Sequence, residues 1–336
     1  MLQAPLIPSP ITATVDFAAP GVAHGFLRLP HSRDDAAWGS IMTPIAVVNH
    51  GDGPTVLLTG ANHGDEYEGP IALFDLAARI RAEDVSGRII IVPAMNQPAF
   101  AAGTRTSPID RGNMNRAFPG RPDGTVTQKT ADYFQRVLLP MADVVLDFHS
   151  GGRTLDFLPY CAAHPLVDKV QEAKSFDLVR AFGAPWSVRM LEIDAVGMYD
   201  TAAEDMGKAF VTTELGGGGS ATARTAGIAI RGLRNLLIAA GAMKGEVEAQ
   251  PTRWLDMPDA DCFTFAEDGG LITFLADLGD VVQAGQPIAR IFPVTRTGLP
   301  PVTVTVNHSG LFMARHFPGI VKPGDCVAVV GVEVDG

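Results

Sequence analysis

The stretch TVLLTGANHGDEYEGP at residues 55–70 leads from a short apolar segment through a glycine-flanked turn into a proline. Its first six residues, Thr55–Gly60, are bounded by glycines and are typical of a buried strand. From Pro70 to Arg81, apolar side chains recur at helical spacing, and proline is tolerated in the first helical turn. This order of strand, turn and helix predicts an α/β sheet that begins near residue 55.

The same alternation continues along the chain. Apolar runs at 88–92, 143–148 and 209–213 predict three further strands. A capping-box pattern at Thr125 and Gln128 predicts a helix to about residue 139, and a long helix is predicted near 221–243. Strands that alternate with helices indicate a sheet with helices on both of its faces.

The two flanking regions have different patterns. Residues 1–54 are rich in proline and glycine, which predicts an N-terminal β arm. Helical spacing ends near residue 250, Pro251–Asp261 suggests a linker, and only short strands and turns are expected beyond it. We therefore expect an α/β domain over residues 1–255, which includes the β arm, and a small all-β, barrel-sandwich-like domain over residues 256–336.

The C-terminal region contains an internal near-repeat. GDVVQAGQPIARI at 279–291 aligns with PGIVKPGDCVAVV at 318–330, and the two hairpins resemble the halves of lipoyl and biotinyl carrier domains. Such domains carry a modifiable lysine at the tip of a hairpin between the halves, whereas residues 308–317 contain no lysine. We therefore predict a β-sandwich without a swinging arm, which serves packing or an oligomer surface.

Composition and charge exclude several functional classes. The chain has 26 basic and 37 acidic residues, a net charge of −11, and a pI near 5.1. Because phosphate binding needs basic stripes, we expect neither a nucleic-acid nor a membrane partner. Three well-separated cysteines give no disulfide framework and no cysteine zinc site. With Arg28 as the first basic residue and no long apolar span, the sequence predicts a cytoplasmic protein.

Three of the predicted strands lead into residues that suit a metal site. His63 and Glu66 follow the first strand, His149 follows the 143–148 run, and Glu214 follows the 209–213 run. In open α/β sheets, ligands bind at the carboxyl ends of strands. Two histidines and a glutamate match a catalytic zinc site that keeps a fourth position open for water. Glu214 then remains as a general base, and Asp147 either orients His149 or caps a nearby N–H group.

The loop from Gly103 to Gly120 is dense in basic and amide side chains. Because arginine grips carboxylates in a bidentate manner, such a loop either binds a substrate carboxylate or is a surface loop held by ion pairs. The candidate residues are Arg105, Arg111, Asn113, Asn115 and Arg116.

Five motifs occur in order between about residues 55 and 220: G-x-N-H-G-D-E, N-x-x-A-F, R-G-N-M-N-R-x-F-P-G, D-F-H-S-G-G and T-x-E-L-G-G. Together they resemble the succinylglutamate desuccinylase/aspartoacylase family, of the zinc carboxypeptidase-like group, in which a β-rich tail is also typical. The resemblance implies a zinc-carboxypeptidase-like mixed sheet and one Zn²⁺ per chain. The residues it implies are His63, Glu66 and His149 for the metal, Glu214 and Arg116 for catalysis, and Arg105, Asn115 and Arg116 for the substrate.

The activity follows from the same resemblance. The stretches HGFLRLPHSRDDAAWG, GANHGDEYEGPIALF and GTRTSPIDRGNMNRAFPGRPDGT are most similar to the branch that deacetylates N-α-acetyl-L-2,4-diaminobutyrate in ectoine degradation. This implies a zinc-dependent amidohydrolase that acts on a linear amide bond of a small N-acyl amino acid. The alternatives are a deacylase of the succinylglutamate or acetylaspartate type, a carboxypeptidase, or a catalytically inactive binding module. Retention of Glu66 and Glu214 argues against the last of these. We also expect a homo-oligomer.

Overall fold

A computed structural model describes residues 7–335, so the first six residues of the predicted β arm and the final Gly336 lie outside the described part. The described residues form one large mixed sheet and a separate four-stranded antiparallel sheet. The strands are β1 Thr12–Ala13, β2 Gly21–Pro30, β3 Ser40–His50, β4 Thr55–Thr59, β5 Gly87–Val92, β6 Val144–Asp147, β7 Leu155–Phe157, β8 Tyr160–Ala163, β9 Trp186–Arg189, β10 Ala209–Glu214, β11 Arg253–Asp256, β12 Phe263–Phe265, β13 Gly270–Phe274, β14 Val281–Val282, β15 Pro287–Phe292, β16 Val302–Thr305, β17 Gly310–His316, β18 Ile320–Val321 and β19 Cys326–Val334.

The helices lie between the strands of the first 250 residues, as the sequence predicts. They are α1 Glu68–Arg79, α2 Gln97–Ala102, α3 Val126–Tyr133, α4 Leu139–Met141, α5 Lys169–Phe182, α6 Tyr199–Glu204 and α7 Ala223–Ala239. The capping box at Thr125 and Gln128 opens α3, which continues through a π-helical turn into α4. No helix in residues 7–335 has the length and apolar character needed to cross a membrane.

The centre of the large sheet is parallel, and it fixes where the strand ends lie. Strands β5, β4, β6 and β10 are neighbours in that order and all run in the same direction. On one side β3 and β2 add antiparallel strands, and on the other β8, β9, β11, β19, β17 and β14 extend the sheet. The described part of the predicted β arm, residues 7–54, thus forms one edge of the sheet.

Helices cover both faces of this sheet, because successive strand residues point to opposite sides. In β4, Val56 and Leu58 join a cluster that contains residues of α1, α5 and α7. Leu57 lies between them and joins a second cluster with residues of α3 and α6. The prediction of a sheet with helices on both faces is therefore confirmed.

The prediction of a linker over Pro251–Asp261 is wrong. Within it, β11 pairs in parallel with β9 and antiparallel with β19, so this segment is part of the large sheet. Trp254 and Leu255 are buried, and their burial stabilises the strand where the sequence suggested only a connection.

The C-terminal strands enclose a core between the large sheet and the four-stranded sheet β16-β15-β13-β18. The two repeat halves occupy equivalent places. In the first half, β14 belongs to the large sheet and β15 to the small one; in the second half, β18 belongs to the small sheet and β19 to the large one. Val282 and Val321, which match in the repeat, are both buried in this core.

Candidate metal centre and active site

Neighbouring parallel strands bring the candidate residues together at the carboxyl ends of the strands. Glu214 is the last residue of β10, His149 lies two residues after β6, and His63 and Glu66 lie in the turn between β4 and α1. That turn leaves the strand through Ala61, which has a positive φ of 49°. Four side chains from three adjacent strand ends therefore meet in a common cavity.

Glu66 joins the two histidines. Its Oε1 lies 2.8 Å from Nδ1 of His63, and its Oε2 lies 3.0 Å from Nδ1 of His149. One donor atom from each of these three buried side chains lies within 4.8 Å of the others. The arrangement aims two imidazole nitrogens and a carboxylate at the same small volume.

Asp147 fixes the orientation of His149. Its Oδ2 lies 2.8 Å from Nε2 of His149, which leaves Nδ1 of that ring for Glu66. Asp147 is itself held, because the Thr59 hydroxyl donates to its Oδ1 at 2.6 Å and the Asn62 amide donates to its Oδ2 at 3.0 Å. Of the two roles considered for Asp147 from the sequence, the structure supports the orienting one.

The charges within the cluster shift its pKa values in opposite directions. Burial opposes the charged form of His149, but the carboxylates of Asp147 and Glu66 outweigh it and raise the His149 pKa well above the usual value. At His63 burial prevails and lowers the pKa. Burial alone would raise the pKa of Glu66, but the two histidines hold it below its ordinary value. The Glu66 carboxylate is therefore ionised at neutral pH, as a metal ligand must be.

Glu214 has a different environment. It pairs in register with Tyr160 of β8, and its buried Oε2 has no hydrogen-bond partner among the described residues. Burial, together with the negative charge of Glu66, raises the pKa of Glu214 to about 8. A carboxyl group with such a pKa can both accept and release a proton near neutral pH.

The glycines after Glu214 serve close packing of backbone. Gly216 accepts hydrogen bonds from Gly151 N at 2.9 Å and Phe157 N at 3.2 Å. At Gly217, a Cβ atom would lie only 2.0 Å from the carbonyl oxygen of Leu155. This run therefore presses the end of β10 against the loop that follows His149.

The basic loop contributes three of its five candidates to the cavity. Arg105 places Nη1 3.6 Å from Oε1 of Glu66, and Arg116 donates to the carbonyl of Asn115 at 2.8 Å. Asn115 accepts from Asn62 Nδ2 and from the Tyr199 backbone through its Oδ1. Among the described residues, the cavity lining includes Arg105, Asn115 and Arg116 but neither Arg111 nor Asn113.

The cavity itself has a volume of about 420 Å³ and extends beyond the residues that the sequence singled out. One wall comes from the C-terminal strands, which the sequence had linked only to packing or an oligomer surface. Two further lining residues are acidic: Glu192 lies in the loop after β9, and Asp200 lies in α6. The sequence around them has no clear helical or strand periodicity. The sequence signal for this part of the cavity is the high density of acidic residues between 192 and 205. The C-terminal wall residues are Met257, Phe263, Phe265, Cys326 and Val329.

Comparison with known proteins identifies the family. Residues 52–240 match the model of the succinylglutamate desuccinylase/aspartoacylase catalytic domain. N-alpha-acetyl-L-2,4-diaminobutyric acid deacetylase of Halomonas elongata is 54% identical over 330 residues, which is 98% of this chain and 96% of that protein.

Solved structures agree with this result. The product-bound ectoine utilization protein EutE (DoeB) from Ruegeria pomeroyi has a TM-score of 0.95 and 62% identity, covering 97% of this chain and 99% of that one. A succinylglutamate desuccinylase/aspartoacylase from Rhodobacter sphaeroides has a TM-score of 0.93 and 37% identity, covering 98% of this chain and 100% of that one. The chain therefore belongs to the succinylglutamate desuccinylase/aspartoacylase family.

Proposed function

We propose that this protein hydrolyses the amide bond of N-α-acetyl-L-2,4-diaminobutyrate, which yields 2,4-diaminobutyrate and acetate. The Halomonas elongata relative is named for this deacetylation, and similarity to it extends over 98% of the chain. The observation that carries the proposal is the cluster of His63, Glu66 and His149 beside Glu214 in one cavity.

The donor set of this cluster fits zinc. Two imidazole nitrogens and a carboxylate are preferred zinc ligands, and three protein ligands are typical of catalytic sites. Ligand atoms that are about 2.0–2.2 Å from one ion lie within about 4.4 Å of each other. One ligand atom from each of the three side chains here lies within 4.8 Å of the others, so small side-chain movements would bring them to zinc-binding distances. His63, Glu66 and His149 would therefore hold one Zn²⁺, with Asp147 orienting His149. When bound, the ion would polarise the amide carbonyl and lower the pKa of water.

Glu214 is the proposed general base and acid. It takes a proton from the attacking water and delivers it to the nitrogen of the leaving amine. Its unpartnered buried oxygen beside the metal cluster supports this role, and burial raises its pKa toward the range in which a carboxyl group accepts and releases a proton near neutral pH.

Arg105, Asn115 and Arg116 are the proposed substrate-binding residues. All three line the cavity. Arg116 is exposed, and among residues 7–335 its guanidinium hydrogen-bonds only to a neighbouring carbonyl oxygen, so it is available for a substrate carboxylate or the developing oxyanion. Arg105 is half exposed and places Nη1 3.6 Å from Oε1 of the buried Glu66. Asn115 accepts two hydrogen bonds through its Oδ1, so its amide NH₂ group points away from those two donors.

The zinc-carboxypeptidase-like character of the fold and the division into domains 1–255 and 256–336 belong to the same proposal. Because β11 and β19 pair across that division, we propose that the two parts share the large sheet and unfold together. Homo-oligomeric assembly and a cytoplasmic location stay predictions. Light scattering on the purified protein tests the first.

The function is tested with a panel of N-acyl amino acids offered to zinc-loaded protein, with acid release measured by mass spectrometry. We expect N-α-acetyl-L-2,4-diaminobutyrate to have the highest kcat/KM. Higher kcat/KM for N-succinyl-L-glutamate or N-acetyl-L-aspartate would favour the alternative deacylases. Release of the terminal residue from a short peptide would indicate a carboxypeptidase. Absence of turnover on every substrate would indicate a binding module.

A further inference from the structure

The cavity has an acidic end that the proposed mechanism does not use. Glu192 and Asp200 line the same cavity as the metal cluster and Glu214. One carboxylate oxygen of each, together with a ring nitrogen of His164, lies within 4.8 Å of the others. Two carboxylates are thus held close together beside the reaction site.

Asp200 is buried but only half satisfied. It is 4% exposed, and its Oδ1 accepts hydrogen bonds from the backbone and hydroxyl of Thr201. Within residues 7–335, its other oxygen, Oδ2, receives no hydrogen bond from a side chain or the backbone, and the residue lines the cavity. This oxygen is not among the fully enclosed unpartnered atoms of the described residues, so it is open to the cavity and can accept from a ligand that brings donors and positive charge.

Two cations lie near this acidic end, but they do not balance its carboxylates. His164 places Nδ1 2.9 Å from Oε1 of Glu204, which is its first electrostatic partner, and the carboxylates of Asp200 and Glu192 also raise the His164 pKa. Three carboxylates thus face the two cations His164 and Arg116. Arg116 is near enough to lower the pKa of Glu192, yet burial and the charge of Asp200 prevail and raise it. Negative charge is therefore in excess at this end of the cavity.

The loop that carries Glu192 is fixed against the substrate-binding loop. Gly197 has a φ of +76°, and a Cβ there would lie 2.8 Å from the carbonyl oxygen of Arg116. The carbonyl of Gly197 accepts a hydrogen bond from Phe118 N at 3.0 Å. This close contact fixes the backbone of the loop against that of Arg116, and Arg116 lines the same cavity as the two acids.

We propose that Glu192 and Asp200 form the subsite that binds a side-chain ammonium group of the substrate. An ammonium nitrogen that donates to two oxygens at about 2.8 Å along tetrahedral directions separates those oxygens by about 4.6 Å. The observed limit of 4.8 Å accommodates this arrangement. The inference rests on the proposed function and deepens it, because the subsite selects N-acyl diamino acids and repels N-acyl dicarboxylic acids.

Selectivity between two substrates of similar shape tests the subsite. N-α-acetyl-L-2,4-diaminobutyrate carries the ammonium group, whereas N-acetyl-L-norvaline carries a methyl group in its place. We expect Asp200→Asn and Glu192→Gln each to lower the ratio of the two kcat/KM values by about 10- to 100-fold, the usual range for a hydrogen bond to a charged group. Asp205→Asn, which removes an exposed charge next to α6, is the matched control and should keep the ratio within about twofold.

Binding of the product amino acids separates this inference from the proposed function. Calorimetry on zinc-loaded protein compares L-2,4-diaminobutyrate with L-norvaline without any need for turnover. Asp200-dependent preference for diaminobutyrate in a protein that hydrolyses neither acetylated substrate would leave the subsite standing and overturn the function. Hydrolysis with an unchanged ratio in both variants would overturn the subsite and leave the function. A second equivalent of zinc that is lost in Asp200→Asn would also overturn it, since the acids would then be metal ligands. Melting temperatures identify any variant that fails to fold, and the other variant then decides.

Discussion

Replacing Glu214 with glutamine (Glu214→Gln) separates proton transfer from metal binding and from stability. The change keeps the size and polarity of the side chain but removes its ability to accept a proton. General acid–base groups contribute about 10²- to 10⁴-fold to rate, or about 3–5 kcal/mol. We expect kcat to fall within that range, with a much smaller change in KM, because the lost interaction belongs to the transition state. Zinc content should not change, since Glu214 is not a proposed ligand.

Although Glu214→Gln should lower activity, we expect it to raise the stability of the metal-free protein at high pH. The folded-state pKa of Glu214 is about 8, against 4.5 for the free side chain. A raised carboxyl pKa means that the folded state binds the proton more tightly than the unfolded state, so stability falls as pH rises from about 4.5 to about 8. At about 1.36 kcal/mol for each pKa unit, the full difference corresponds to about 5 kcal/mol above pH 8.

Chemical denaturation of metal-free wild type and Glu214→Gln, at pH values from 6 to 9, measures this effect. The variant should be more stable at pH 9 by several kcal/mol, and the advantage should shrink toward pH 6. Near-wild-type kcat in zinc-loaded Glu214→Gln would remove Glu214 from the mechanism. A metal-free variant that is less stable than wild type at pH 9 would contradict the raised pKa and make Glu214 a structural cap.

Three further results are expected. His63→Ala and His149→Ala should each lose bound zinc in elemental analysis while the chain stays folded, because the α/β core is large enough to stand without the ion; full zinc occupancy in both would refute the ligand assignment. Asp147→Asn should weaken zinc binding about 10- to 100-fold in a competition titration with a chelator, as loss of a ligand-orienting partner usually does, and unchanged affinity would leave Asp147 a purely structural role. The intact mass should equal that of the bare chain, whereas a mass increment at Lys322 would show that the C-terminal repeat is a modified carrier domain.

Much of the parallel centre of the sheet could be predicted because its strands are fully buried. Segments such as TVLLT and DVVLD have a continuous apolar centre, and the polar residues and glycines on either side mark the ends of the strands. His63, His149 and Glu214 come together because these strands are parallel and adjacent, so that their carboxyl ends lie side by side.

The outer strands could not be predicted in the same way. Tyr160–Ala163 reads YCAA and Arg253–Asp256 reads RWLD, and neither has a period that distinguishes a strand from a connection. Both become strands because neighbours supply hydrogen bonds and cover their side chains. The sequence of β11 therefore suggested a linker at a position where the large sheet continues.

The acidic end and the C-terminal wall of the cavity depend on contacts between distant parts of the chain. Glu192 and Asp200 belong to a loop and a short helix, and no motif marks them. Phe263 and Val329 come from strands whose own pattern indicates only a β-rich unit. Only the tertiary structure shows that these residues share a cavity with Glu214.

The most direct test of the central claim is a titration of metal-depleted protein with zinc, with acetate release from N-α-acetyl-L-2,4-diaminobutyrate as the readout. Turnover should be absent without metal, rise in proportion to added zinc, and reach a plateau at one equivalent per chain. Full turnover in the metal-depleted protein, or no turnover at any zinc concentration, would contradict the account.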